Sequence, residues 1–227
     1  RQRQMCIRDR SIAIDGPAGA GKSSVSKIVA RRLGYAYLDT GAMYRAVTYE
    51  VMKQGVTETQ DIINLVKNLH MTVSPSEEGI RISVNGEDVT PFIREPEVSA
   101  KVSAVAAIGK VREAMVVIQR KQAALGGIVL DGRDIGTTVL PDADVKIFLT
   151  ASVQTRALRR YKELHELHPE ITLAEIEKDI ENRDWQDSHR EVSPLRKAAD
   201  AILLDNSKMS LEETAEAIIR ICHEKWK

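Results

Sequence analysis

The stretch from Ser11 to Leu33, SIAIDGPAGAGKSSVSKIVARRL, constrains the fold more than any other. An apolar run, Ser11–Asp15, leads into Gly16-Pro17-Ala18-Gly19-Ala20-Gly21-Lys22-Ser23, a full G-x-x-x-x-G-K-[ST] pattern. A helical pattern over Ser23–Leu33 follows directly. Strand, glycine-rich loop and helix in that order aim backbone N–H groups and a helix N-terminus at one point, where they suit phosphate oxygens. Lys22 adds a compact positive charge, and the Ser23 hydroxyl is a hard oxygen donor for Mg²⁺. The pattern calls for a nucleoside triphosphate and says nothing of the group that receives the phosphate.

Such a unit belongs to a parallel sheet covered on both faces. Ala36–Leu38, Ile128–Asp131, Val145–Leu149 and Ala201–Leu204 are apolar runs without alternation, as doubly covered strands are. Helical patterns separate them, and the last, Leu211–Glu224, opens on the capping-box string Ser210-Leu211-Glu212-Glu213. The expected fold is therefore α/β, a three-layer P-loop core around a parallel five-stranded sheet. Two connections are too long to be simple crossovers. The first contains GIRISVNGEDVT, whose alternation around Asn85-Gly86 predicts a β-hairpin within an inserted subdomain. The second, Ser152 to Ala199, is densely charged and helical, with Thr172-Leu173-Ala174-Glu175 capping its second helix.

A length of 227 residues suits one such domain with an insertion. Acidic and basic residues balance at 33 each, which argues against a nucleic-acid coat or a polybasic membrane binder. No apolar run is long enough to span a bilayer, and no signal-peptide pattern is present. Cys6 and Cys222, near opposite ends, suggest neither a disulfide framework nor a metal knuckle, so a reducing cytosol is the expected compartment. Residues 1–10, RQRQMCIRDR, are unpatterned and read as a disordered extension or an assembly scar.

Three further strings carry candidate chemistry. In YLDTGAMYRAV, Asp39-Thr40-Gly41 makes a turn, Thr40 is expected to start a helix over Ala42–Met52, and Arg45 lies one turn in. That arginine suits a second, phosphate-bearing ligand, although a capped helix with a solvated arginine explains the string equally well. In GIVLDGRDIGT, Asp131, Gly132, Arg133 and Asp134 crowd the end of a strand, where α/β sheets bind ligands. Asp131 is expected to face the phosphate loop, and Gly132 to keep the backbone low beside a nucleotide. A salt-bridged turn has the same composition. Arg183, Asp187 and Arg190 stand at i, i+4 and i+7, sharing one face if the helix is continuous. Arg156, Arg159 and Arg160 cluster on another helix flank. Two arginine faces could neutralise phosphates from above, or simply be solvated and salt-bridged. His70, His165, His168, His189 and His223 are scattered, and no Ser–His–Asp, Cys–His or clustered-ligand arrangement is seen. The absence of an Asn-Lys-x-Asp string argues against a GTPase.

Together, AIDGPAGAGKSSVSK, YLDTGAMYRA, NGEDVT, VSAVAAIGKVREAM, LDGRDIGTTVLPDADVKIFLTAS, NRDWQDSHREVSPL and AADAILLD resemble the bacterial cytidylate kinases, in order and over essentially the whole chain. The resemblance implies a nucleoside monophosphate kinase of residues 11–227. Its core would comprise 11–39, 110–151 and 200–227, with an acceptor-binding insertion at about 40–109 and a lid at about 152–199. It implies transfer from ATP, with Mg²⁺, to CMP or dCMP, giving ADP and the diphosphate. Gly16, Pro17, Ala18, Gly19, Ala20, Gly21, Lys22, Ser23 and Ser24, with Arg156 and Arg159, would bind ATP. Ser23, and Asp131 through water, would hold Mg²⁺. Thr40, Arg45, Ser103, Arg112, Arg133, Asp134, Arg183, Asp187 and Arg190 would bind CMP. Within that set Arg45 and Arg133 would take its phosphate, and Ser103, Arg112 and Asp134 its base. Lys22, Asp131, Arg133, Arg183 and Arg190 would carry the chemistry. ELHPEIT departs from the Lys-Gly-containing lid turn of the family. A monomer is expected, with no nucleic-acid or membrane partner; the alternative is another small-substrate P-loop kinase.

Overall fold

The computed structural model describes residues 10–76, 79–166 and 168–227. Nine of the ten residues of the expected extension, Cys6 among them, lie outside that range, as does Leu167 of the ELHPEIT string. Among the described residues the strands are β1 (Ser11–Asp15), β2 (Ala36–Asp39), β3 (Met71–Ser76), β4 (Gly79–Val84), β5 (Glu87–Asp88), β6 (Ile128–Gly132), β7 (Val145–Thr150) and β8 (Ile202–Asp205). The helices are α1 (Lys22–Leu33), α2 (Thr40–Lys53), α3 (Thr59–Lys67), α4 (Pro96–Ala107), α5 (Gly109–Ala123), α6 (Val153–Leu164), α7 (Leu173–His189) and α8 (Leu211–Lys225). A single π-helical turn spans Ile135–Val139.

β2, β6, β1, β7 and β8 form, in that order, a sheet in which every pair is parallel. The absence of alternation in the apolar runs has its cause here, since side chains of both parities are covered. Ala13, Leu38, Ile128 and Leu130 face a core shared with α2, α4 and α5. Ile12, Ile14, Val129, Val145, Ile147 and Leu149 face a second core closed by α1 and α8. The segment 40–109 thus packs on the central sheet: Ala42, Met43, Ala46 and Val47 of α2 join the first core, with Ile82 and Val84 of β4. A third, small cluster, Ala157, Ile176 and Ile180, zips α6 to α7.

Local signals behave as their chemistry requires. Asn85 and Gly86 have φ of 51° and 87°, the left-handed pair that a two-residue hairpin turn needs. Ser210 and Thr172 each complete a capping box with Glu213 and Glu175. α2 starts at Thr40 as expected, and the Asp39 carboxylate caps it, accepting from Ala42 N–H at 2.8 Å. Thr40 is then free to donate its hydroxyl to the Asp131 carbonyl at 2.8 Å. The helix bearing Arg183 and Asp187 ends at His189, so Arg190 lies just beyond it in extended backbone. No helix among the described residues is long and apolar enough to cross a membrane.

Parallel register decides what meets at the sheet's carboxyl edge. Asp39 pairs with Asp131, and Asp15 with Gly132, one residue further along, so three adjacent strands carry buried aspartates within one residue of each other at that edge. Burying acids side by side is unfavourable unless donors or cations answer them.

Candidate active site

Those cations come from helices and loops around a cavity of about 560 Å³ at the carboxyl edge. Its floor is the phosphate loop. Gly16 turns the chain directly against β7: a Cβ there would sit 2.0 Å from the Leu149 carbonyl oxygen, so only glycine fits. No side chain caps the N-terminus of α1, whose first N–H groups are left for an anion. Ala18, Gly19, Gly21, Lys22, Ser23 and Ser24 line the cavity, whereas Gly16, Pro17 and Ala20 are buried behind it. Lys22 is buried too, and its ammonium donates to the Pro17 carbonyl at 2.7 Å. Burial, and then the Arg133 charge, push its pKa well below the ordinary lysine range, with Asp131 and Asp15 opposing.

Asp131 sits at the loop's edge, fully committed to donors. Ser23 Oγ donates to its Oδ2 at 3.0 Å and Tyr37 OH to its Oδ1 at 2.8 Å. Burial, and then Asp39 beside it in register, hold its pKa well above the usual carboxylate range. The same burial, with Asp131 next to it, drives the Tyr37 phenol far up, so Tyr37 stays a donor. A hydroxyl and a carboxylate that would gain from a cation are the hard oxygen donors Mg²⁺ prefers. Among the described residues no group of three or more Asp, Glu, His or Cys could hold a metal. The donor set therefore suits an ion that brings most of its ligands, as phosphate oxygens and water, with it.

On the opposite side the cavity is lined with arginines, paired unequally. Arg133 donates to Asp187 at 2.7 Å; burial opposes its charge, but Asp187 prevails and raises its pKa. Arg112 pairs with Asp134 at 2.6 Å, and Arg190 lies 3.8 Å from Asp134 and 3.7 Å from Asp187. The Arg112 guanidinium also stands 5.0 Å above the Tyr44 ring. Arg94 reaches in from the segment before α4 to bond Asp39 at 3.0 Å. Arg45 and Arg183 are answered less well. Among the described residues Arg45 hydrogen-bonds only the Ser99 hydroxyl, at 3.2 Å, and burial followed by the charge of Arg183 lowers its pKa to about 9. Burial and Arg133 likewise depress Arg183, whose Nε has no hydrogen-bond partner among the described residues. Arg45, Arg133 and Arg183 thus repel one another across the cavity, an arrangement that an entering anion would relieve.

The structure brings together Lys22, Ser23, Thr40, Arg45, Ser103, Arg112, Asp131, Arg133, Asp134, Arg159, Arg183, Asp187 and Arg190 around this space. Arg156, expected among them, is placed elsewhere. Buried, it gives Nε to the Ala151 carbonyl and Nη1 to the Ala18 carbonyl and Asp184, so it braces the loop from behind. Gly132 lines the cavity, and packing by itself already disfavours a side chain there: a Cβ would lie 2.6 Å from Thr40 Oγ1 and 2.7 Å from Ile135 Cδ1. Gly132→Ala is expected to cost roughly 1–3 kcal/mol, the usual range for overpacking. A thermal melt checks this, and an unchanged midpoint would mean that Thr40 and Ile135 can move aside.

Sequence reasoning missed Asp15, Tyr37, Asp39, Arg94 and Asp184. Asp15 and Asp39 end apolar runs as Asp131 does, and that shared feature could have flagged them. Arg94 and Asp184, which bonds Ala18 N–H at 3.1 Å, carry no local signal.

The family model described as cytidylate kinase matches residues 12–224. A cytidylate kinase of Desulfitobacterium hafniense (strain Y51) is 49% identical over 220 residues, 96% of this chain and 94% of the relative. One from Geobacillus sp. (strain WCH70) is 52% identical over 216 residues, covering 94% and 96%. A crystal structure of an uncharacterized protein from Eubacterium ventriosum ATCC 27560 superposes with a TM-score of 0.54 at 13% identity, over 96% of this chain and 99% of that one. That likeness concerns the fold alone. A family match running from β1 to α8, with relatives half identical along nearly their whole length, makes this chain a member of the cytidylate kinase family.

Proposed function

We propose that this protein transfers the γ-phosphoryl group of ATP to CMP and dCMP, yielding ADP and CDP or dCDP. The observation that carries the reading is the set of mutually repelling arginines, Arg45, Arg133 and Arg183, facing the phosphate loop across one cavity. A site for one triphosphate needs cations on the loop side; a second cationic wall suits an acceptor that is itself a phosphate.

In this reading the loop N–H groups and Lys22 hold the ATP phosphates, and Arg159 flanks them. Ser23 and, through water, Asp131 would hold Mg²⁺, which when bound neutralises charge on the β- and γ-phosphate oxygens. Arg45 and Arg133 take the CMP phosphate. One of its oxygens forms the new bond to the γ-phosphorus as the bond to ADP breaks. The attacking oxygen is already anionic, so no general base is required, in keeping with the scattered histidines. Arg183 and Arg190 meet the charge as it spreads over the transferred group. The segment 40–109 serves as the acceptor-binding insertion and α6–α7 as the lid that excludes water, with Arg156 a positioning residue. Every group invoked comes from a single chain, so a monomer suffices, and small cytosolic nucleotides are the only partners required.

Selectivity rests on Asp134. Its carboxylate, kept in place by Arg112 and Arg190, can accept from cytosine's exocyclic amine but would face a carbonyl on uracil. Asp134→Ala is expected to lower the CMP-over-UMP preference by about 10- to 100-fold, as losing a paired polar contact does, with little change in KM for ATP. Steady-state turnover with CMP, dCMP, UMP, AMP and cytidine checks both claims. Cytidine should be inert. Turnover of a hydroxyl acceptor would point to another kind of small-substrate kinase, and an unchanged CMP/UMP ratio would sink the role of Asp134.

A further inference from the structure

Asp134 has a feature its position does not explain. It stands at the N-cap of the π-helical turn Ile135–Val139, where an aspartate ordinarily folds back to bond the turn's free N–H groups. It makes no such bond. Its carbonyl does take part in the turn, accepting from Thr138 N–H at 2.8 Å and Val139 N–H at 3.2 Å. The cap is supplied instead from the neighbouring strand. Asp15, the last residue of β1, accepts Ile135 N–H on Oδ1 and Gly136 N–H on Oδ2, both at 2.7 Å, with only 4% of its surface exposed.

We propose that Asp15 is a positioning residue for acceptor selectivity, capping the turn in place of Asp134 so that the Asp134 carboxylate can face the cavity and meet the base. The reason is competition for one carboxylate. Were Ile135 and Gly136 N–H unsatisfied in this buried place, Asp134 would be the nearest acceptor, and bonding them would turn it away from Arg112. Asp15 removes that competition with two short bonds from a strand that cannot move, because β1 is the middle strand of the sheet. Asp15 also immediately precedes Gly16, so the strand that launches the phosphate loop fixes the group that reads the acceptor. Burial raises the Asp15 pKa to about 6, and the two N–H bonds oppose that rise, as expected of a carboxylate kept for its acceptors. This inference rests on the acceptor reading above.

Asp15→Asn leaves one acceptor and sets an amide NH₂ against an N–H. It is expected to raise KM for CMP about tenfold and to lower the CMP/UMP ratio by a similar factor, the range for one lost buried bond, while KM for ATP stays within about twofold. In the Asp134→Ala background the same change should leave the CMP/UMP ratio where it already is, because Asp15 acts through Asp134. A folded Asp15→Asn protein with normal CMP/UMP selectivity overturns the inference, as does an effect confined to ATP. If Asp134→Ala is selective too, the acceptor reading itself has failed; if only Asp15→Asn is, this inference alone has. Should Asp15→Asn not fold, amide exchange of the unaltered protein decides. Ile135 and Gly136 must exchange as slowly as the β1 amides before CMP is added, and fast exchange at both overturns the proposal.

Discussion

Lys22→Ala is expected to abolish CMP-dependent ADP formation, with kcat falling about 10³-fold or more, on the order of 4 kcal/mol of transition-state stabilisation. The size follows from where the charge sits. Lys22 is 6% exposed and spends its hydrogen bond on Pro17, one residue into the loop, so its ammonium is already placed where a phosphate would lie. Burial and Arg133 make that charge unfavourable in the free protein. A triphosphate reverses the sign, and most strongly when charge accumulates between donor and acceptor. The loss should therefore fall on kcat more than on KM for ATP. Lys22→Met, which keeps the stem but not the charge, should behave like Lys22→Ala, whereas recovery in the methionine variant would make packing the cause. Single-turnover measurements with saturating ATP and CMP settle it, and turnover near the unaltered rate would mean that the loop is not the donor site.

The parts of this site that the sequence disclosed are those whose physics is local. A glycine-rich loop between strand and helix, a capping box or an Asn-Gly turn is specified by residues within one or two turns of each other, and each stands where the pattern puts it. What stayed hidden depends on register and on chains that return from far away. Asp39, not Thr40, caps α2 because the helix already begins at Thr40, whose hydroxyl donates instead to the Asp131 carbonyl, which the β2–β6 pairing brings near. Arg156 shares a flank with Arg159, yet α6 sits so close to the loop that its guanidinium is captured by Ala18 and Asp184. Arg159 extends one turn later, to Asn206, and keeps an edge on the cavity. Spacing alone could not separate the two. Gly132 reads from the string as an accommodation of ligand, and the fold adds that Thr40 and Ile135 leave no room for a side chain there. The resemblance named most of the acceptor set, but not the contacts that hold it. Asp15 and Arg94 act through backbone N–H groups and a neighbouring carboxylate that no string of residues reveals.

Arg183→Gln is expected to lower kcat/KM for CMP about 10²- to 10³-fold, the cost of removing one preorganised charge from a transition state, and at the same time to raise the melting temperature. The two signs have one cause. Burial and the Arg133 charge depress the Arg183 pKa, so the folded protein holds this cation less comfortably than the unfolded chain does. A group with a lowered basic pKa costs stability at every pH where it remains charged, and glutamine ends that cost. Arg133 would not behave alike: its pKa is raised by Asp187, and removing it leaves that carboxylate buried without its closest cation. Arg133→Gln should therefore lose activity and stability together. Nor should Arg183→Gln alter the ratio of CMP to UMP, since Asp134 is held by Arg112 and Arg190 and not by Arg183. Kinetics with both acceptors, together with thermal melts of the two variants, test the argument. If Arg183→Gln melted lower, as Arg133→Gln should, the guanidinium would be an ordinary structural partner, and the case for a cavity strained toward phosphate would fall with it.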